Sequence, residues 1–481
     1  MNDFPNSNAG GGRSNFPVLT DAQGRRMHAA CLEILERVGV RLYLDEAVEL
    51  MRKAGARVSD GNLVRIPAKL VGQALGTVPK QVVLYDRGGR AVMPVGGYRS
   101  FYGPGSDCLN IVDHRTGERR KAVVKDVEEG SSICDALPHV DYVMSMVLPS
   151  DVDGTVADRF QMEAMLSSTI KPIVYVTYGT SGCRDAVEMA EAVMGGAEAL
   201  RKTPFVACYI NAVSGLRHNK EALEKLLFLA GKDLPSLYIP SSTAGVTSPV
   251  TPAGSVALDF AGVLAGLVLA QLKREGAPVI VPGMPPGGTL DMKSFVSSYA
   301  EPERTLTTAL AHFYGLPMFA IAGASESKVV DEQAAAEAAL TLAVETFAGS
   351  NIIHDLGYLE SGLTFSFAQL VICHEIVGWL KAFGKGYEVD DETLALDLIA
   401  ELGPDGDFLN TDHTLEHFRE RWYPTVFERV NFETWRKKGG KMCAERAAET
   451  VGRILSEHRP EPLLAEIREK LREIVRRAKA E

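Results

Sequence analysis

The chain has 481 residues, 46% of them hydrophobic and 23% charged, which is ordinary globular composition. Its net charge of −11, with no long basic block, argues against nucleic acid or an anionic membrane as partner. Seven scattered cysteines with no CxxC pair argue against a disulfide framework and for a reducing, cytoplasmic compartment.

The first 15 residues, MNDFPNSNAGGGRSN, are polar and glycine-rich and have no apolar signal core. They read as a disordered arm. Thr20-Asp21 then caps a helix reaching about Val38, with Met27, Ala30, Ile34 and Val38 at helical spacing. A second helix over EAVELMRKAG closes at Gly55, and short strand-like pieces follow: LVRIP, QVVLYDR and AVMPV. Residues 16–98 read as an N-terminal α/β cap.

From Arg99 a strict alternation begins. Apolar strands are expected at Arg99–Gly103, Tyr142–Leu148, Ile173–Thr177, Phe205–Ile210, Leu237–Pro240, Val279–Val281, Met318–Ile321 and from Asn351. A helix separates each from the next, and a helix over Phe365–Phe383 follows the last. The insert CLNIVDHRTGERR reads as a hairpin turning at Arg115-Thr116-Gly117. Strands without polar alternation are buried on both faces, as in a parallel sheet. Eight such units close into a (β/α)8 TIM barrel, here residues 99–383. A doubly wound open sheet would call for a GxGxxG turn after an early strand, and none stands in that context. The apolar stretch Val256–Leu272 is interrupted by Asp259 and reads as a buried helix rather than a membrane span. Residues 384–481 read as a helical extension. Its last helix, Pro462–Lys479, is charged and amphipathic, a packing arm or a contact in a homo-oligomer.

A parallel barrel carries its site at the C-terminal ends of its strands. That rule selects Tyr102, Ser106 and Asp107; Tyr178; Tyr209 and Asn211; Ser241, Ser242 and Thr243; Met284 with Pro285-Pro286; Ser325 and Glu326; and His354, Glu360 and Phe365. The last group lies in NIIHDLGYLESGLTFSFAQ, where a histidine, a carboxylate and aromatics follow a strand directly. Aromatics from separate strands can box a cation with their π-faces, and Asp107, Glu326 or Glu360 can balance its charge. The alternative for each tyrosine is a barrel-lining side chain with its hydroxyl satisfied. For the glutamates it is a helix-entry carboxylate, and for His354 a satisfied core histidine. No HExxH and no CxxC pair is present, and no metal site is assigned. Cys108 and Cys208, both near strand ends, are the one pair that space could bring together as zinc thiolates.

Three long segments carry a family resemblance: SPVTPAGSVALDFAGVLAGLVLAQLKREGAPVIV, GASESKVVDEQAAAEAALT and LESGLTFSFAQLVICHEIVG. With the DHRTGERRKAVVKD hairpin, they resemble the trimethylamine methyltransferase family, corrinoid-dependent enzymes built on (β/α)8 barrels. The resemblance spans residues 20–460. It implies methyl transfer to Co(I) of a corrinoid carried by a partner protein, with no cofactor bound by this chain. The family's trimethylamine-specific members carry pyrrolysine inside the barrel, and the corresponding position here falls near Ser325-Glu326. This sequence has only standard residues. Members without pyrrolysine resemble glycine betaine methyltransferases, which implies a quaternary amine of the betaine type as substrate. Glu326 and His354 would position it, and His354, Asn211 and the Ser241–Thr243 cluster would hold its carboxylate. A neutral tertiary amine would leave, so no general acid is expected. Two other readings stand beside this one: a zinc-dependent corrinoid methyltransferase, and a non-catalytic betaine-binding barrel.

Overall fold

A computed structural model describes residues 19–284, 288–290, 295–296 and 304–480. The expected N-terminal arm and the Pro285-Pro286 loop lie outside the described residues.

Seven strands form a parallel sheet in the order Phe101–Tyr102, Ile352–His354, Met318–Ile321, Val279–Pro282, Ser236–Pro240, Val206–Ala212 and Ile173–Tyr175. The segment 141–143 closes the ring. Asp141 N–H donates to the Tyr102 carbonyl at 2.6 Å, and Val143 bridges Ile173 in parallel. The fold is a (β/α)8 barrel. A long regular strand expected over Tyr142–Leu148 is only a pair of bridges, because Met146 takes a left-handed φ of +59° that breaks the extended run.

Strand pleating decides which side chains point inward. Phe101, Tyr142, Val174, Ala207, Leu237, Ile280, Phe319 and Ile352, one from each strand, pack together inside the barrel. Above them come Met144, Val176, Tyr209, Ile239, Met284 and Ile321. The hairpin of Val82–Tyr85 and Ala91–Val95 joins this cluster through Val82, Leu84, Met93 and Val95, which stops the N-terminal end of the barrel.

The rest of the cap is a small sheet of Val40–Leu42, Leu63–Arg65 and Arg57–Ser59 with three helices. Its first helix, Asp21–Glu33, starts at a capping box in which Thr20 and Gln23 exchange bonds. Helix Pro252–Lys273 is long and apolar enough to cross a membrane, the one such helix among the described residues, yet 83% of its apolar window is buried inside the protein. The insert forms the hairpin Asn110–Val112 and Arg119–Lys121, turning at 113–117 as expected. It pairs with Thr364–Ser366 beside the mouth. Helix Ala465–Ala480 packs as an arm on Ala157–Ser168 and Thr180–Met194, burying Leu471, Ile474 and Val475.

Candidate active site

At the C-terminal end of the barrel, the inward-facing positions bring six functional side chains together. Tyr209 stands on its strand with its ring 5.4 Å from Phe319. Its hydroxyl donates to Asn211 Oδ1 at 3.1 Å. That bond fixes the amide, so the Asn211 NH2 group points the other way as a donor. Burial raises the Tyr209 hydroxyl pKa, with Asp355 and Asp107 adding to it, and this keeps the hydroxyl neutral. Tyr178, 42% exposed, is held by its backbone N–H, which donates to Asp158 Oδ2 at 3.1 Å. Asp107 and Asp158 lie near it, and burial with their charge raises its pKa too.

Asp107 takes a left-handed φ of +69° and accepts from Ser145 Oγ and Gln161 Nε2, each at 3.4 Å. Burial raises its pKa above the usual carboxylate range despite those bonds. Asp355 is more extreme. It has φ +85° and 3% exposure, and burial pushes its pKa up to about 8. The close approach of the neighbouring loop requires glycine, since a Cβ on Gly105 would overlap Asp355 Oδ1 and the Tyr358 ring.

His354 stacks on Phe319 at 3.9 Å. Its Nδ1 lies 2.7 Å from the Ala320 carbonyl, which can only accept, so Nδ1 carries the hydrogen. Burial, with the charge of Arg304 adding to it, lowers the histidine pKa to about 3. The ring is therefore neutral and Nε2 is a bare acceptor, 3.4 Å from Asp355 Oδ1. The expectation that His354 donates to a substrate carboxylate does not fit this tautomer. Its one hydrogen is committed to the backbone, and Nε2 faces an acid that holds its own proton below about pH 8. Arg304, 2% exposed, is the cation of this corner. It donates to Glu345 Oε1 at 2.8 Å and to the Ile321 carbonyl.

Other expected site residues lie elsewhere. Tyr102 points outward into the layer between strands and helices, because its neighbour Phe101 takes the inward position. Its hydroxyl pairs with Thr346 Oγ1 at 2.8 Å, and Lys381 sits over its ring. Ser242 is buried with its hydroxyl accepting from Gly215 N–H and its own N–H donating to Asp259. Phe365 is fully buried, edge-on to Tyr358 and Phe367. Glu360 accepts two bonds from Arg119, at 2.8 and 3.0 Å, and fastens the hairpin insert. Ser325 Oγ donates to Glu337, which also accepts from Glu326 N–H, so this strand end is a closed turn. The Cys208 thiol faces the helices, 4.0 Å from Cys183, and the zinc pairing with Cys108 has no geometric support.

Sequence reasoning passed over Asp355, Arg304, Ser145 and Gln161 as site residues. Asp355 had a signal, since it follows the last barrel strand and precedes Gly357. The others reach the mouth from a broken strand and from helices, which a strand-end rule does not reach.

Residues 8–481 match the family model described as trimethylamine methyltransferase (MTTB). The chain belongs to the trimethylamine methyltransferase family. It is 33% identical over 462 residues to the trimethylamine methyltransferase MttB of Desulfitobacterium hafniense, covering 95% of this chain and 93% of that one. It is 29% identical to a glycine betaine methyltransferase from another strain of that species, covering 96% of each. Among solved structures, the monomethylamine methyltransferase MtmB of Methanosarcina barkeri is similar at 12% identity and a TM-score of 0.48, covering 95% of this chain and 88% of that one. In this family member, then, two tyrosines and two carboxylates of raised pKa stand at the open end of the barrel.

Proposed function

We propose that this methyltransferase takes a methyl group from a quaternary amine of the betaine type, such as glycine betaine, and delivers it to Co(I) of a corrinoid carried by a partner protein. The observation that carries this reading is the set Tyr178, Tyr209, Asp107 and Asp355 at one mouth, with Arg304 already bonded to Glu345. A quaternary ammonium has no N–H to donate. Ring faces and nearby negative charge are what can hold it. The Asn211 amide hydrogens, freed by the Tyr209 bond to Oδ1, are the placed donor for the betaine carboxylate.

A reduced corrinoid supplies the nucleophile. This chain's part is to hold the ammonium so that one methyl faces the opening, and to keep water from the others. The C–N bond breaks with its electron pair left on nitrogen. The departing amine is neutral, so no side chain needs to deliver a proton, and catalysis is positioning and desolvation. The partner docks on the loops around the mouth, including 103–107, because only there does the substrate face outward.

The test is a substrate panel of glycine betaine, proline betaine, carnitine and trimethylamine with cob(I)alamin, followed optically for methylcobalamin. The proposal expects turnover with at least one betaine and none with trimethylamine. Tight binding of a betaine without methyl transfer, to cob(I)alamin or to reduced corrinoid proteins, would instead favour a non-catalytic binding barrel.

A further inference from the structure

The segment after the last barrel helix breaks the rule that ordered chain buries something. Helix Phe367–Gly384 runs from the mouth toward the opposite face of the barrel, where Lys381 meets Asp141. The chain leaves there and comes back at two fixed points. Trp422 stacks flat on Trp379 with centroids 5.5 Å apart. Glu375 then accepts from Thr425 N–H at 2.6 Å, Thr425 Oγ1 at 2.7 Å and Val426 N–H at 3.0 Å. Between these anchors, from 385 to 423, no residue is buried. The helices in it, Asp391–Leu394, Leu396–Leu402 and Asp412–His417, are too short to be stable alone in water. Yet Tyr387, Val389, Leu396, Leu409, Leu415 and Phe418 are each more than half exposed. A tethered excursion of this kind is stable only when something covers it.

Its charge says what. Residues 386–418 hold ten Asp and Glu and no Lys or Arg. Residues 419–441, which run on past the second anchor, hold seven Lys and Arg against three Glu. Exposed apolar side chains continue through it at Tyr423 and Phe432. A stretch with an acidic first half and a basic second half has a charge pattern that is complementary to itself turned around, which is what a two-fold contact requires. We propose that residues 385–441 form a self-complementary arm that pairs with the same arm of a second copy of this chain, on the barrel face away from the mouth. The acidic half of each copy lies on the basic half of the other, and the bare apolar residues are buried between them. The mouths then stay open for substrate and for a second protein.

Charge exchange tests this on the full chain. One variant carries Asp391→Lys, Glu392→Lys and Asp397→Lys. The other carries Arg436→Glu, Lys437→Glu and Lys438→Glu. All six side chains are exposed, so both variants should keep the wild-type melting profile. Sedimentation at micromolar concentration and low salt is expected to give wild type at twice the 52.0 kDa chain mass or a multiple of it. Each variant alone should lose that association, because its two contacts become like-charged. Mixing the two should restore it, because both contacts are then opposite-charged again. A monomeric wild type, association that survives both variants, or a mixture that stays dissociated would each overturn the proposal. So would hydrogen exchange showing residues 385–423 protected only when a corrinoid protein is added, which would make that protein the occupant.

Discussion

Asp355→Asn is the substitution that most sharply separates a cation site from a merely structural corner. Burial raises the Asp355 pKa from 3.8 to about 8, so at neutral pH the carboxyl is largely protonated and the mouth lacks its charge. If the substrate cation binds the anionic form, the apparent KM carries the factor 1 + 10^(pKa − pH). That factor is roughly 30 at pH 6.5 and close to one at pH 9, so KM should fall about 30-fold across that range. Coulomb's law sets the ceiling. A cation about 5 Å from the carboxylate at an effective dielectric of about 20 gains ~3 kcal/mol, or about 200-fold. The neighbouring groups leave the window readable. His354, at about 3, is neutral throughout, and both mouth tyrosines are shifted upward, away from it. Asp107, also raised by burial, is checked with Asp107→Asn. Asp355→Asn should flatten the KM profile and leave KM at pH 9 raised about 30-fold or more. Stability moves the other way. The folded carboxyl keeps a proton that the unfolded chain loses above 3.8, so wild-type stability falls as pH rises from about 4 to 8, by at most about 6 kcal/mol, and is level above that. The asparagine variant lacks this loss and should melt higher than wild type at pH 8.5. A wild-type KM that is constant from pH 6.5 to 9, together with an asparagine variant of unchanged KM, would show that the cation does not bind the Asp355 anion.

Two further outcomes concern the tyrosine and the amide. Tyr209→Leu removes a ring face and the bond that fixes Asn211, and should raise KM for every quaternary amine by about 1–2 kcal/mol, or 5- to 30-fold; steady-state kinetics with glycine betaine and choline side by side would show it, and an effect on glycine betaine alone would contradict the ring's role. Asn211→Ala should raise KM for glycine betaine about 10-fold while leaving choline unchanged, because only the first has a carboxylate for the amide to hold; equal losses on both would remove Asn211 from that role.

The barrel was legible because its strands are unbroken apolar runs, and a parallel sheet buried on both faces accepts little else. What the sequence did not disclose was the parity of each strand. Tyr102 and Tyr209 look alike as tyrosines at strand ends, but Phe101 occupies the inward position on the first strand and Ala207 with Tyr209 on the other, so one ring faces the helices and one the mouth. A one-residue difference in register moves a side chain across the sheet, and composition alone cannot set it. The reading of Phe365 failed for a related reason. The strand it sits on is not in the barrel but in the outer sheet with the hairpin insert, where a buried aromatic has only packing to do. The polarity of His354 was hidden too, since a tautomer is decided by the backbone carbonyl that its nitrogen meets, here Ala320, 34 residues away in the chain.

A carboxyl buried at the end of the barrel, its pKa raised despite the charge of Arg304, makes the free protein less stable at high pH than it needs to be. That cost makes sense only if a ligand removes it. A bound quaternary ammonium favours the anion and lowers the Asp355 pKa, so below pH 8 its binding must release a proton. The amount follows from the same equilibrium. At pH 7 about nine-tenths of the free protein carries this proton. If the bound pKa falls by the two units that ~3 kcal/mol allows, only about one-tenth of the complex still does. Roughly 0.8 proton should then leave per betaine bound at pH 7, and almost none at pH 9.5. Calorimetric titration of the full chain in buffers of different ionisation enthalpy reads that number directly, without a corrinoid partner and without turnover. Asp355→Asn should reduce it to what Asp107 contributes. Binding of glycine betaine with no proton release at pH 7 would mean that the cation sits away from Asp355, and the charge balance would then rest on Asp107 beside Tyr178.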